Sequence, residues 1–178
     1  MTTILEIFIL LILIAFLLFL LEQMFNTFFR GFAPFISTRP KMIAKILDEI
    51  ELRDGTIVYE LGCGKAGFLR AARKRNKNIK LVGFENSLIP YTIGQIQNIL
   101  TASKLEIRKK NFLNIDLGKV DIVYCYLNEK TMGKLEEKFK KECKSGATVA
   151  SYQVPLKNTE ADKELVVSSN EKVYFYKY

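Results

Sequence analysis

From Ile57 to Gly67 the chain reads Ile-Val-Tyr-Glu-Leu-Gly-Cys-Gly-Lys-Ala-Gly, an apolar run that passes an acid and ends in a glycine-rich turn. This order of residue types suits a strand followed by a loop that meets a ligand with its backbone. Gly62 and Gly64 lack a Cβ, so the chain can turn sharply after the strand and let a bound group come close. Gly67 then opens a helix. Glu60 sets this loop apart, because the end of a buried parallel strand ordinarily carries an apolar residue. A carboxylate there calls for a cationic partner.

Two cofactor classes compete for such a loop. As Gly62-x-Gly64-x-x-Gly67 it fits the dinucleotide fingerprint, with Glu85 about 20 residues on as the ribose-binding acid. As Glu-x-Gly-x-Gly it fits a loop for S-adenosylmethionine, whose ammonium and sulfonium are positive. Only the second explains Glu60, since a pyrophosphate would be repelled by a neighbouring carboxylate.

The elements that would position this loop follow from the hydrophobic pattern. Thr38 is expected to cap a helix with Pro40 in its first turn, and Met42, Ile43, Ile46, Leu47 and Ile50 form its apolar stripe. Strands are expected at 56–61, 79–85, 104–109, 120–126 and 146–153, with helices at 66–76, 88–102 and 129–143. That alternation calls for a parallel sheet covered by helices on both faces. Glu164–Ser168 and Lys172–Tyr178 flank Ser169-Asn170 with no room for a helix, so the chain should end in an antiparallel hairpin.

In such a sheet the ligand lies at the carboxyl ends of the strands. The first strand end offers Glu60, Gly62, Cys63 and Gly64, and the second offers Glu85 and Asn86, where the Glu85 carboxylate can accept both ribose hydroxyls. After the third come Asn111, whose amide suits an adenine edge, and Phe112, which can stack or fill core. The fourth strand end supplies Tyr126, Asn128 and Glu129 as candidates to bind an acceptor amine, although a strand tyrosine also packs and Asn128 equally suits a helix N-cap. Methyl transfer to a neutral amine depends on alignment more than on a dedicated base. The chain has no histidine, and Cys63, Cys125 and Cys143 are too widely spaced for a zinc site, so no metal is expected and the thiols should be free.

An unbroken apolar run spans Ile7 to Leu21, interrupted on either side only by Glu6 and Glu22, and is long enough to cross a bilayer. No basic residue precedes it and no small-x-small cleavage site follows, which favours an uncleaved anchor over a secretory signal. Arg30, Arg39, Lys41 and Lys45 follow closely, so the positive-inside rule puts the rest of the chain in the cytoplasm, at the end of a single-pass anchor. Beyond Phe29 lie all 27 Lys and Arg and all but Glu6 and Glu22 of the 19 acids, a net charge of +10. Such a domain is drawn to an anionic lipid surface. Arg70, Arg73, Lys74, Arg75, Lys77 and Lys80 look like the solvated face of a helix and its exit, and no nucleic-acid module is apparent. The expected organisation is an anchor at 1–29, a linker and first helix at 30–54, and a catalytic domain at 55–178.

Four stretches together carry a family resemblance: PFISTRPKMIAKIL, VYELGCGKAGFLRAA, LVGFENSLIPYTIGQIQN and VDIVYCYLNEKTMGKLEEKFKKECKSGATVASYQVPL. In this order the chain resembles the small membrane-anchored methyltransferases related to the lysine methyltransferases of the ATP synthase c subunit and the adenine nucleotide translocator. The resemblance implies a Rossmann-like class I methyltransferase sheet with a terminal antiparallel hairpin, behind one transmembrane helix. It also implies S-adenosylmethionine as methyl donor and a protein lysine as acceptor, including one in a membrane protein. By position, Glu60, Gly62, Gly64 and Glu85 would bind the cofactor and Ser37-Thr38 would close over it. The chain departs from the family pattern at Lys65-Ala66, at Asn111 and at Tyr126-Leu127-Asn128-Glu129. A dinucleotide-dependent oxidoreductase, a non-catalytic membrane adaptor and a small-molecule or lipid methyltransferase are the alternatives.

Overall fold

The computed structural model describes residues 2–25 and 37–178. The expected linker therefore lies, up to Ile36, outside the described residues. Strands β1 (Ile57–Leu61), β2 (Lys80–Glu85), β3 (Glu106–Lys109), β4 (Ile122–Cys125) and β5 (Thr148–Tyr152) run parallel. Two further strands, β6 (Lys163–Ser168) and β7 (Glu171–Lys177), form the expected hairpin, and β7 pairs antiparallel with both β5 and β6. The resulting seven-stranded sheet has the order β3-β2-β1-β4-β5-β7-β6. Its strand order reverses between β1 and β4, and the crevice at that switch is where a ligand is expected.

Burial on both faces explains the near-continuous apolar strands. In β4, Ile122 and Tyr124 enter one core while Val123 and Cys125 enter the other. The first core is covered by α2 (Pro40–Asp48), which buries Ile43, Ile46 and Leu47, and by α3 (Gly67–Arg75), which buries Phe68, Leu69 and Ala72. Helix α4 (Leu88–Leu100) lies on this side too, with Tyr91 against the same cluster. Helix α5 (Glu129–Glu142) covers the opposite face through Met132, Leu135 and Phe139.

Two local expectations are corrected. Arg39, not Thr38, is the N-cap residue of α2, with Pro40 directly after it. Thr38 instead turns its hydroxyl to that of Tyr124, at 2.6 Å. The basic residues of α3 are not simply a solvated face. Arg70 donates to the Lys65 carbonyl and, at 2.8 Å, to Gln97 Oε1 of α4, while Arg73 donates to the carbonyls of Lys77 and Ile79. These contacts tie the glycine loop, α3 and α4 together.

Helix α1 (Thr2–Phe25) is apolar all round, and its segment Thr3–Phe25 is long and apolar enough to cross a membrane. At 1.5 Å per residue it measures about 36 Å, slightly more than a hydrocarbon core of about 30 Å. Among its described side chains only Phe19, Glu22 and Gln23 are half-buried, at the i, i+3, i+4 spacing of a single face.

Candidate active site

Strand β1 delivers Glu60 to the switch point on the face that carries Val58. Its register partners are Gly83 on β2 and Tyr124 on β4. Gly83 leaves the space that the Cys63 side chain fills, since a Cβ at position 83 would lie 2.7 Å from Cys63 Sγ. Glu60 is only 7 % exposed and forms no ion pair among the described residues. Its one hydrogen bond among the described residues is a long one, 3.4 Å, from the Leu69 amide. Burial pushes its carboxyl up to about 8, opposed by the Leu69 amide and the Arg70 charge and reinforced by Glu85. A buried acid so poorly compensated suits a cation.

The loop after β1 is built as its glycines suggest. Gly62 and Gly64 have φ of +71° and +48°, and a Cβ on Gly62 would meet Leu127 at 2.9 Å. Ala66 also takes a left-handed φ, +56°, as the residue before α3. Glu85, at the end of β2, holds the loop from beneath: Oε2 accepts from the Gly64 amide at 3.0 Å and Oε1 from the Ser87 amide at 2.8 Å. Burial raises the Glu85 carboxyl, and the Ser87 and Gly64 amides act against that.

A cleft of about 810 Å³, counted with its open mouth, brings together Glu60, Gly62, Cys63, Gly64, Glu85, Asn86, Phe112 and Tyr126. Of the expected cofactor residues only Asn111 is absent from its wall. The Asn111 side-chain oxygen accepts from the Leu113 amide at 3.0 Å and caps the short 3-10 turn Phe112–Asn114. Cys63 is 4 % exposed, and burial lifts its thiol well above the ordinary range, so it is a packing residue of the wall rather than a nucleophile. On the acceptor side only Tyr126 of the three candidates reaches the cleft. Asn128 is the N-cap of α5, its side chain accepting from Thr131 at 2.9 Å, and Glu129 is exposed in the next turn.

From Tyr126 a polar chain runs along the same sheet edge. Its hydroxyl donates to Gln153 Oε1 at 3.0 Å, and Gln153 Nε2 donates to Glu171 at 3.3 Å. Glu171 also accepts from Arg39 at 2.5 Å, so residues 37–39 form a strap along the cleft, fastened at Tyr124 and at Glu171. Ser37 and Thr38 are part of the cleft wall.

Tyr124 and Gly94 contribute from outside the motifs. Tyr124, fully buried, stacks on Phe68 with centroids 4.0 Å apart and anchors the strap. Gly94 lets α4 lie against the loop, since a Cβ there would come within 2.6 Å of the Gly64 carbonyl oxygen. A glycine inside a helix costs about 1 kcal/mol, and that cost was the available signal of a close approach.

A parallel sheet closed by an antiparallel strand, with a glycine loop and two strand-end acids at its switch point, defines the class I methyltransferase fold. An RNA methyltransferase from Salinibacter ruber, solved with S-adenosyl-L-homocysteine, superimposes with a TM-score of 0.72 over 80% of this chain and 93% of that one, at 17% identity. A precorrin-6y C5,15-methyltransferase from Geobacter metallireducens gives 0.58 over 70% and 68%, at 14% identity. The chain belongs to the family of the ANTKMT methyltransferase domain, whose model matches residues 60–163. It is also 26% identical over 148 residues, 80% of this chain and 92% of the relative, to a protein-lysine N-methyltransferase from Saccharolobus islandicus (strain REY15A). The chain is thus a methyltransferase, and the oxidoreductase and adaptor alternatives fall with that membership.

Proposed function

We propose that the protein is an S-adenosylmethionine-dependent protein-lysine N-methyltransferase, held at the membrane by α1 with its catalytic domain on the cytoplasmic side. The observation that carries the cofactor assignment is Glu60, a buried carboxyl beside the glycine loop with no ion-pair partner among the described residues. The residues fit the group. Glu60 would take its ammonium, the left-handed turns at Gly62 and Gly64 would let it lie against the backbone, and Glu85 would accept from its ribose hydroxyls. When bound, it supplies an electrophilic methyl carbon.

The chain's own residues then orient and exclude. Phe112 and Phe68 give the cleft apolar walls, and the Ser37-Thr38 strap limits the access of water. Tyr126, just past the end of β4 and held by Gln153, would face the acceptor. It would orient an amine that arrives uncharged, because only a free lone pair can attack carbon. With Asn128 and Glu129 in the cap and first turn of α5, Tyr126 is the member of the candidate trio that would touch an acceptor.

A lysine acceptor is supported by the kinship with the S. islandicus enzyme and by the family. Membrane attachment is supported by the length and apolarity of α1, and its orientation by the basic residues that follow. Incubating the full chain in detergent with tritiated S-adenosylmethionine and membranes from its own cells tests the assignment. The proposal predicts label in Nε-methyl-lysine after acid hydrolysis of the protein fraction, lost with Glu85→Ala. Label confined to the lipid or RNA extract would overturn the acceptor.

A further inference from the structure

The half-buried face of α1 meets the catalytic domain at the head of α4. Glu22 Oε1 accepts from the Leu88 amide at 3.0 Å. Leu88 opens α4, so its N–H is among the first four that no carbonyl of the helix can satisfy. The preceding amide, Ser87, donates to Glu85. Two consecutive N–H groups are thus held by two carboxylates, one from the end of β2 and one from the end of the apolar helix. Anionic groups are favoured at that position by the partial positive charge of a helix N-terminus. One residue further along α1, Gln23 enters the wall of the cleft, in company with Glu85, Asn86, Ser87 and Pro90.

We propose that Gln23 is a cofactor-contacting residue and Glu22 its positioning residue, so that the domain-facing end of the membrane helix is a working wall of the cofactor site. This rests on the cofactor assignment above. Its side-chain amide can both donate and accept, which suits the hydroxyls and ring nitrogens of a nucleoside at the Glu85 end of the cleft. Glu22 pins α1 to α4 and so sets where that amide lies. Binding and helix seating are then reciprocal: a bound cofactor holds α1 against the domain, and a displaced α1 loosens the cofactor. A methyltransferase built this way holds its cofactor best when the domain sits correctly on the bilayer.

The test uses the full chain in lipid nanodiscs, titrated calorimetrically with S-adenosylhomocysteine. Gln23→Ala and Glu22→Ala should each weaken binding by about fivefold to tenfold, the worth of one hydrogen bond. Glu22→Gln, which keeps an acceptor for Leu88, should restore most of the affinity. In a second measurement, Gln23→Cys on a Cys143→Ser background is labelled with maleimide and read by peptide mass. Saturating S-adenosylhomocysteine should slow labelling of the introduced thiol about tenfold or more, as a buried contact requires. Binding by the unaltered chain that both alanine variants keep, with labelling unaffected by ligand, overturns this inference alone. Absence of any binding by the unaltered chain overturns the cofactor assignment and this inference with it.

Discussion

The hydroxyls of Thr38 and Tyr124 meet at 2.6 Å, joining the segment before α2 to the central strand β4. Tyr124 is itself the register partner of Glu60, so one contact links the strap over the cleft to the strand pair that bears the buried acid. Tyr124→Phe keeps the ring stacked on Phe68 and removes only the tie. It should lower S-adenosylhomocysteine affinity about fivefold, the worth of about 1 kcal/mol, while thermal stability changes little. Calorimetry and a melting curve on one preparation check both halves.

Glu60 predicts a proton linkage of definite sign. Its carboxyl in the folded, ligand-free protein lies at about 8 against an ordinary 4.5, mainly through burial. The folded state therefore binds a proton that the unfolded state has released, and the ligand-free protein loses stability as pH rises from about 5 to 8. An ammonium seated beside Glu60 favours the carboxylate, so binding at pH 7 should release up to one proton and tighten from pH 6 to 8. Titrations in phosphate and in Tris should give different apparent enthalpies. Glu60→Gln should abolish that difference and bind more weakly.

Gly94→Ala tests the packing of α4 on the glycine loop. In an exposed helix this change would gain about 1 kcal/mol. Here the new Cβ would lie 2.6 Å from the Gly64 carbonyl oxygen, a backbone atom with nowhere to move. The overpacking cost, about 2 kcal/mol, wins. Denaturant titration should show the loss of stability, and cofactor affinity should fall further than stability does.

Glu136 predicts an acid-side sensitivity on the opposite face of the sheet. Its side chain is 1% exposed and accepts from the amides of Lys157 and Asn158, from Asn158 Nδ2 and from Thr159 Oγ1, pinning the segment after β5. Burial alone would raise its carboxyl, but Thr159, Asn158 and Lys140 hold it below the ordinary 4.5. The stability it contributes is therefore present above about pH 4.5 and lost as pH falls through its lower folded value. Glu136→Ala should cost about 3 kcal/mol at pH 7 and flatten that acid dependence, read from urea unfolding at pH 3.5 and 7.

Much of the fold was legible because its signals are local. Apolar strands alternating with amphipathic helices, and a two-residue turn at Ser169-Asn170, determine the sheet and its antiparallel close. Glu60, Gly62, Gly64 and Glu85 stood out because chemistry restricts those types at those spacings. What was not legible depends on which segments meet. Thr38 has the composition of a helix cap, yet its partner is Tyr124, 86 residues away. Asn111 and Asn128 have side chains that suit a ligand, and both are spent on capping nearby amides. Arg70 reads as a solvated charge, but Gln97 of α4 holds it. Gln23 lies at the end of an apolar helix, and nothing in its sequence neighbourhood announces a cofactor cleft.

Titration of the full chain in nanodiscs with S-adenosylhomocysteine, and separately with NADH, repeated on Glu85→Ala, shows which cofactor the cleft between Glu60 and Glu85 holds. Binding of the first ligand alone at micromolar strength, about −8 kcal/mol, and its loss in the variant are predicted. A folded protein that binds neither ligand, or binds NADH in preference, would overturn the assignment of S-adenosylmethionine to this cleft.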